Sequence, residues 1–271
     1  MSGPETYEVF AIRYGSVAGR LRRDNFIIAP DHPTDPHDGE MPLDYFVWAI
    51  VNENRTIVVD AGFERTEGDK RGRTITRLPA EGLEIIGIDA AKIEDVIITH
   101  LHYDHAGTLD DFPAARFHLQ ESEMNYATGK HMCHEPFGHA YAPDHVCTMV
   151  RRVFDGRVAF HDGDAEVAPG ISVHWIGGHT AGVQCVRVLT KRGWVVLASD
   201  AAHFYENMEA TAPFPIVYSA ADMVQGYSKM RDLAESNKHI IPGHDPLVMA
   251  RYPIAKASQE DVIRLDVAPT G

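Results

Sequence analysis

Residues 98–107 read ITHLHYDHAG and place three histidines and an aspartate within six positions, directly after a short apolar run. Imidazoles and carboxylates are costly to bury unless something pairs with them. Strand alternation puts His100 and His102 on one side of the chain, and Asp104 and His105 follow in the turn toward Gly107. Four ligand-type residues this close together suit chelation of a metal cation. Three more candidates lie downstream: His179 in WIGGHTAG, Asp200 closing WVVLASD, and His244 in IIPGHD. Alone, each is an ordinary turn or cap residue. Together, all placed after apolar strands, they form a set.

Such residues need strand ends to hold them. Residues 7–15 read as a first strand. LDYFVWAIV is nearly all apolar or aromatic, as in a strand buried on both faces. Asn52 to Asn54 supplies a turn into RTIVVDAGF, whose β-branched run ends at Asp60. The stretch 31–42 between the first two strands is a Pro/Asp/His loop. A helical pattern covers residues 75–87, broken by Pro79 and Gly82, and Asp89 is a candidate N-cap for a short helix leading into DVIITH. ARFHLQ predicts a strand, ESEMNYA a short helix, and residues 128–143 a long loop. Short strands fill residues 157–175, and VQCVRVLT and WVVLASD are two more. Residues 219–236 form an amphipathic helix with Met223, Tyr227 and Met230 on its apolar stripe, Ser219 with Asp222 resembling a capping box. HIIPGH is a last short strand. This order fits an α+β protein of two sheets with helices outside, as one domain over residues 1–271.

Bulk composition narrows the function. The 271 residues carry 25 Lys plus Arg against 39 Asp plus Glu, a formal net charge of -14. That repels nucleic-acid phosphate. The basic tetrapeptide KRGR at residues 70–73 reads as a solvated loop. No window is apolar enough to span a membrane, and MSGPETYEVF lacks the basic and apolar regions of a secretory signal. With Cys133, Cys147 and Cys185 too few for a disulfide framework, a cytoplasmic location is expected.

The combined pattern HLHYDH, GGHTAG, SDAAH and PGHD resembles the metallo-β-lactamase superfamily, and the resemblance runs from about Tyr7 to Pro246. It implies an αβ/βα sandwich of two mixed β-sheets with a dinuclear site. His100, His102 and His179 would then hold one metal, Asp104, His105 and His244 the other, and Asp200 would bridge both. Asp60 in VVDAGF would sit beneath the metals. His102 stands where flavodiiron-type members carry Glu, which puts zinc ahead of iron, with cobalt and manganese as further options. Cys185, inside VQCVRV, reads as a small core residue.

A metal pair with one carboxylate bridge lowers the pKa of a water held between the ions and gives a hydroxide nucleophile at neutral pH. The reaction class is hydrolysis, with no organic cofactor, and Asp104 could pass a proton to the leaving group. AIRYGS, HDGEMPLDYFVWAI and SDAAHFYENM look like the N-acyl-homoserine lactonase group, which implies a quorum-quenching lactonase. That group places a tyrosine three residues after the bridging aspartate. Here the position is His203, with Tyr205 two further on, and His203 is expected to donate to a developing oxyanion.

The His-rich stretch with His131, His134, His139 and His145 reads as a loop at the pocket rim. Met132, Phe137 and Tyr141 within it, with Met208, Phe214 and Ile216, would give an apolar wall for an acyl chain. His32, His37, His118, His161, His174 and His239 are assigned no role. The rival readings are a lactonase or esterase for another small cyclic ester, a phosphodiesterase, and a thioesterase with an extra helical domain, for which the 27 residues after His244 are too few. The expected partner is a small lactone or ester, with no nucleic acid and no membrane, and a homodimer is compatible with the sequence.

Overall fold

The computed structural model describes residues 5–28, 38–255 and 260–270. The expected loop over residues 31–42 lies mostly outside these, as do His32 and His37. The strands are β1 (Glu8–Val17), β2 (Leu43–Val51), β3 (Thr56–Val59), β4 (Thr74–Ile75), β5 (Asp95–Ile97), β6 (Arg116–Gln120), β7 (Val158–His161), β8 (Ala165–Ala168), β9 (Ile171–Trp175), β10 (Gln184–Thr190), β11 (Gly193–Ser199), β12 (Ile240–Pro242) and β13 (Val262–Arg264). The helices are α1 (Arg65–Lys70), α2 (Pro79–Ile85), α3 (Glu121–Ala127), α4 (Glu135–Gly138), α5 (Pro143–Phe154), α6 (Tyr205–Glu209), α7 (Ala220–Leu233) and α8 (Leu247–Arg251).

Two mixed sheets result, as expected. The first has the order β13-β1-β2-β3-β5-β6-β7, with β4 against β1, and the second runs β12-β11-β10-β9-β8. In the first sheet the hairpin-linked strands pair antiparallel, while β3, β5, β6 and β7 are parallel. Only β11 and β12 are parallel in the second.

β2 shows why the fold is a sandwich. Phe46, Trp48 and Ile50 belong to a core shared with Val173, Val186, Val195 and Leu197 of the second sheet. Its alternate residues Tyr45, Val47 and Ala49 join a second core with Leu83 of α2, Phe112 and Met149 of α5. A strand that buries both faces has no polar side to alternate with, hence its unbroken apolar run. Helix α7 buries Met223, Tyr227 and Met230 in the inter-sheet core, and the Ser219 hydroxyl accepts the Asp222 N–H at its start.

Two expectations need correction. Pro79 begins α2 instead of breaking a longer helix, because proline at the first turn has no N–H to lose. Residues 128–143 are not one open loop: a short 3₁₀ turn over Lys130–Cys133, then α4, occupy them, and Pro143 opens α5. Asp89 caps as expected, accepting from the Ala91 N–H at 3.1 Å, although the element is a 3₁₀ turn.

The paired glycines of WIGGHTAG both take left-handed backbone, with φ of 69° at Gly177 and 91° at Gly178. A Cβ at Gly178 would stand 2.5 Å from the Met223 nitrogen, so α7 approaches this turn backbone to backbone. Strain and overlap act together there, and Gly178→Ala should lower stability by about 2 kcal/mol or more, read from urea unfolding.

Candidate metal centre

The seven candidate residues leave four strand ends. His100, His102, Asp104 and His105 follow β5; His179 follows β9; Asp200 follows β11; His244 follows β12. All seven are buried, none more than 7% exposed. Their donor atoms fall into two groups, His100, His102, His179, Asp200 and Asp104, His105, Asp200, His244, with the atoms of each group within 4.8 Å of one another.

The spacing inside the groups is narrow. His179 Nε2 lies 2.9 Å from His102 Nδ1, 3.2 Å from His100 Nε2 and 3.3 Å from Asp200 Oδ2. In the other group, Asp200 Oδ1 lies 2.9 Å from His244 Nε2 and 3.3 Å from His105 Nε2, while Asp104 Oδ2 is 3.7 Å from both of those nitrogens. Ligands about 2.0–2.1 Å from a tetrahedral cation stand roughly 3.4 Å apart, so both donor sets fit a divalent ion. His105 Nε2 and Asp200 Oδ1 are buried without a hydrogen-bond partner among the described residues, a costly state that a cation between them would relieve. Asp200 is common to both groups, one carboxylate oxygen toward each.

Partners behind the rings fix which nitrogen faces inward. His179 Nδ1 is 2.7 Å from the Ile216 carbonyl and His244 Nδ1 is 2.8 Å from that of Asp44, so each donates outward and turns a lone pair to the site. His105 Nδ1 is 2.7 Å from Asp60 Oδ2. Asp60 also accepts from the Thr99 N–H at 2.7 Å, and its own φ of 64° turns the chain at the end of β3.

At His100, His102 and Asp200 the electrostatics agree with ligand states. Burial, and then the neighbouring imidazoles, push His100 and His102 well below the usual imidazole range, which keeps them neutral. Burial would also lower His105 and His244, but Asp200 and then Asp104 together outweigh it and raise both. For Asp200, burial acts upward, yet His244, His105 and His203 hold it well below the usual carboxylate range.

His203 lies against this cluster. Its Nε2 is 3.0 Å from Asp200 Oδ2, and its ring stacks on Phe214 with centroids 3.5 Å apart. Burial pushes its pKa down to about 3. Tyr205 points elsewhere: its buried hydroxyl lacks a hydrogen bond among the described residues and its ring lies under Arg251.

A cavity of about 270 Å³ opens over the cluster, and His102, Asp104, His179, Asp200, His203 and His244 all reach it. Two larger clefts, about 820 and 800 Å³, hold none of the seven. The expected apolar wall does not form. Of the His-rich stretch only His139 and Ala140 line the cavity; Ile216 does too, whereas Met208 and Phe214 are core residues. His131 packs instead on Tyr126, Phe137 and Tyr218, and His145 pairs with Glu64 at 3.1 Å. Cys185 is fully buried in the core, and burial raises its thiol pKa to about 12.

A profile of the metallo-beta-lactamase superfamily matches residues 41–260. The chain belongs to that superfamily. Its relatives include the N-acyl homoserine lactonase AttM of Azorhizobium caulinodans, 29% identical over 177 residues that make up 60% of this chain and 62% of AttM. An N-acyl homoserine lactonase of Bacillus sp. is 26% identical over 225 residues, 76% of this chain and 84% of the relative. The chain spans just under two thirds of the length of the AttM relatives it matches, 62% and 65% for two of them. Among solved superfamily structures, a quorum-quenching N-acyl homoserine lactone lactonase superposes with a TM-score of 0.73 at 20% identity, covering 90% of this chain and 95% of that one.

One residue of this superfamily member escaped the motifs. Glu123 on α3 is fully buried and accepts four hydrogen bonds, from Leu101 N–H (3.0 Å), Tyr141 hydroxyl (2.9 Å), Thr180 hydroxyl (2.6 Å) and Gly182 N–H (3.1 Å). Leu101 stands between two candidate ligands and Thr180 follows a third, so one carboxylate ties together the turns that carry His100, His102 and His179. Its place in ESEMNYA, a run that reads only as a helix, gave no signal. Glu123→Gln would turn an amide N–H₂ toward donors. If the cluster holds a divalent cation, this change should weaken its binding about 10- to 100-fold, measured by competition with a chromogenic chelator.

Proposed function

We propose that this chain is a metal-dependent hydrolase that opens lactone rings, holding two divalent cations through His100, His102, His179 and Asp200 on one side and Asp104, His105, His244 and Asp200 on the other. The observation that carries the reading is Asp200, whose two oxygens face different donor groups at 3.3 Å and 2.9 Å. Imidazole and carboxylate donors at tetrahedral spacing suit zinc first. When bound, such a pair supplies a nucleophilic water at neutral pH and polarises the ester carbonyl.

The chain's own groups do the rest. The neutral imidazoles of His100 and His102 and the ionised Asp200 present preformed ligands, and the outward bonds of His179 and His244 stop those rings from turning. Asp104, at the cavity and 3.7 Å from His105 and His244, is placed to carry a proton from the attacking water to the leaving oxygen. His203 donates toward the oxygen that gains charge as the ring carbon becomes tetrahedral. The enzyme works in the cytoplasm, a reading supported by three cysteines that are all free. No helix among the described residues is long and apolar enough to cross a membrane.

The relatives' names make N-acyl homoserine lactones the first substrate class to assay. A second reading, a lactonase for another small cyclic ester, is favoured by the cavity itself. Its volume is about 270 Å³ and its aliphatic lining is limited to Leu43, Ala140 and Ile216, short of a groove for a long acyl chain.

A panel of lactones, thioesters and phosphodiesters assayed with zinc-loaded protein tests the reaction class, and lactone turnover is the expected outcome. Elemental analysis should give two metals per chain, and Asp200→Asn should lose at least one of them; full metal content and activity in that variant would place the bridge elsewhere. His203→Ala should lower kcat about a hundredfold or more, the effect of losing one oxyanion donor, with metal content kept. If the metals leave as well, His203 acts by holding Asp200 instead.

A further inference from the structure

Three arginines line the cavity over the metal centre, in a chain whose formal net charge is -14. Arg71 is fully engaged: its guanidinium pairs with Glu67, donates to the carbonyls of His139 and Tyr141 and stacks on the Tyr103 ring. Arg20 and Arg73 are different. Neither has a carboxylate partner among the described residues, yet both are braced. Arg20 donates from Nε and Nη2 to the Asn25 side-chain oxygen at 2.9 Å and 2.7 Å, and Asn25 is itself fully buried. Arg73 donates from Nε to the Tyr103 hydroxyl at 3.1 Å, which in turn lies 2.9 Å from the Tyr45 hydroxyl.

These bonds leave Arg20 Nη1 and both terminal nitrogens of Arg73 without a hydrogen-bond partner among the described residues. The acids nearby are otherwise occupied. Asp24 accepts from the Leu21 N–H at 2.9 Å, and Asp104 faces His105 and His244. Burial lowers the Arg20 pKa, and the charge of Arg73 lowers it further, so the two cations repel across the rim. Two braced guanidiniums with N–H donors to spare, lining one cavity, suit a bound oxyanion, which accepts forked, charge-assisted hydrogen bonds.

We propose that Arg20 and Arg73 form a seat for an oxyanion on the substrate, so that the preferred lactone carries a carboxylate or a phosphate besides its ester. The proposal rests on the lactonase reading and narrows it. A neutral acylated lactone would leave both guanidiniums unanswered, whereas a compact acidic lactone fills the cavity with its ester at the metal ligands and its anion at the rim. KRGR, at residues 70–73, is thus not a solvated loop: two of its arginines face the site.

The test uses zinc-loaded protein and three γ-butyrolactones that differ only in the group on the ring carbon beside the ester oxygen: a carboxylate, a phosphorylated hydroxymethyl, or a neutral carboxamide. At least one charged lactone should exceed the carboxamide about tenfold or more in kcat/KM, chiefly through KM, and which one does so identifies the anion. The double variant Arg20→Ala with Arg73→Ala should erase that preference, and Arg73→Lys should retain part of it. Equal turnover of the carboxamide, or a charge preference that survives in the double variant, overturns the seat while leaving the lactonase reading standing. If no lactone opens, the lactonase reading fails. Calorimetric binding of the same compounds to wild-type and variant protein then decides the seat directly: tighter binding of a charged lactone, lost in the variant, supports it, and equal binding refutes it.

Discussion

Everything at the candidate metal centre depends on a buried knot of three side chains from three strand ends. The Thr99 hydroxyl lies 2.8 Å from Asp60 Oδ2 and 2.8 Å from the Ser199 hydroxyl, and Asp60 continues to His105. Thr99 directly precedes His100, and Ser199 directly precedes Asp200. The first sheet supplies Asp60 and Thr99 and the second supplies Ser199, so the knot fixes the relation of the two sheets at the point where ligands from both must meet. Asp60 and Ser199 both have positive φ, 64° and 46°. Backbone strain at non-glycine residues persists only where the surroundings over-determine it, and here the surroundings are this network.

The same logic explains how polar groups survive in so apolar an interior. Two cores press on the centre, one between the sheets and one beneath the helices of the first sheet. No water reaches Asp60, Thr99, His100 or Glu123, all fully buried. Each is instead answered by another protein group, and Glu123 answers four. Buried networks of this kind rigidify when complete and are costly when one member is lost. Asp60 and Glu123, the two carboxylates with no exposure among the described residues, both lie behind the candidate ligands, where rigidity serves their geometry.

Much of this was legible in the sequence because the candidate ligands sit in short, dense motifs at strand ends. HLHYDH, GGHTAG, SDAAH and PGHD carry residue types that have few other reasons to cluster, and the structure brings their seven candidates together. The double apolar run of β2 likewise announced a strand between two layers. Residues whose meaning is purely tertiary were not legible. Glu123 lies in an ordinary polar helix and gains its role only when Gly182 arrives over it. Arg73 lies in a basic turn that looks solvated until Tyr103 and Tyr45 brace it. The apolar wall failed for the converse reason: Met208 and Phe214 have the right chemistry, but the core claims them, Phe214 as the plate under His203.

The pairing of β1 with β13 bears on the order in which the chain can fold as it is made. Phe10, Ala11 and Ile12 are opposite Arg264, Ile263 and Val262, with little else of the described chain along that part of the β1 edge. On the ribosome, this apolar strand emerges long before its partner, and its edge stays open until residues 262–264 have followed. An open, flat, apolar edge is a template for pairing with another chain. The nascent protein thus passes through a long interval in which this strand is open to pairing with another chain, and Val262, Ile263 and Arg264 bring that interval to a close.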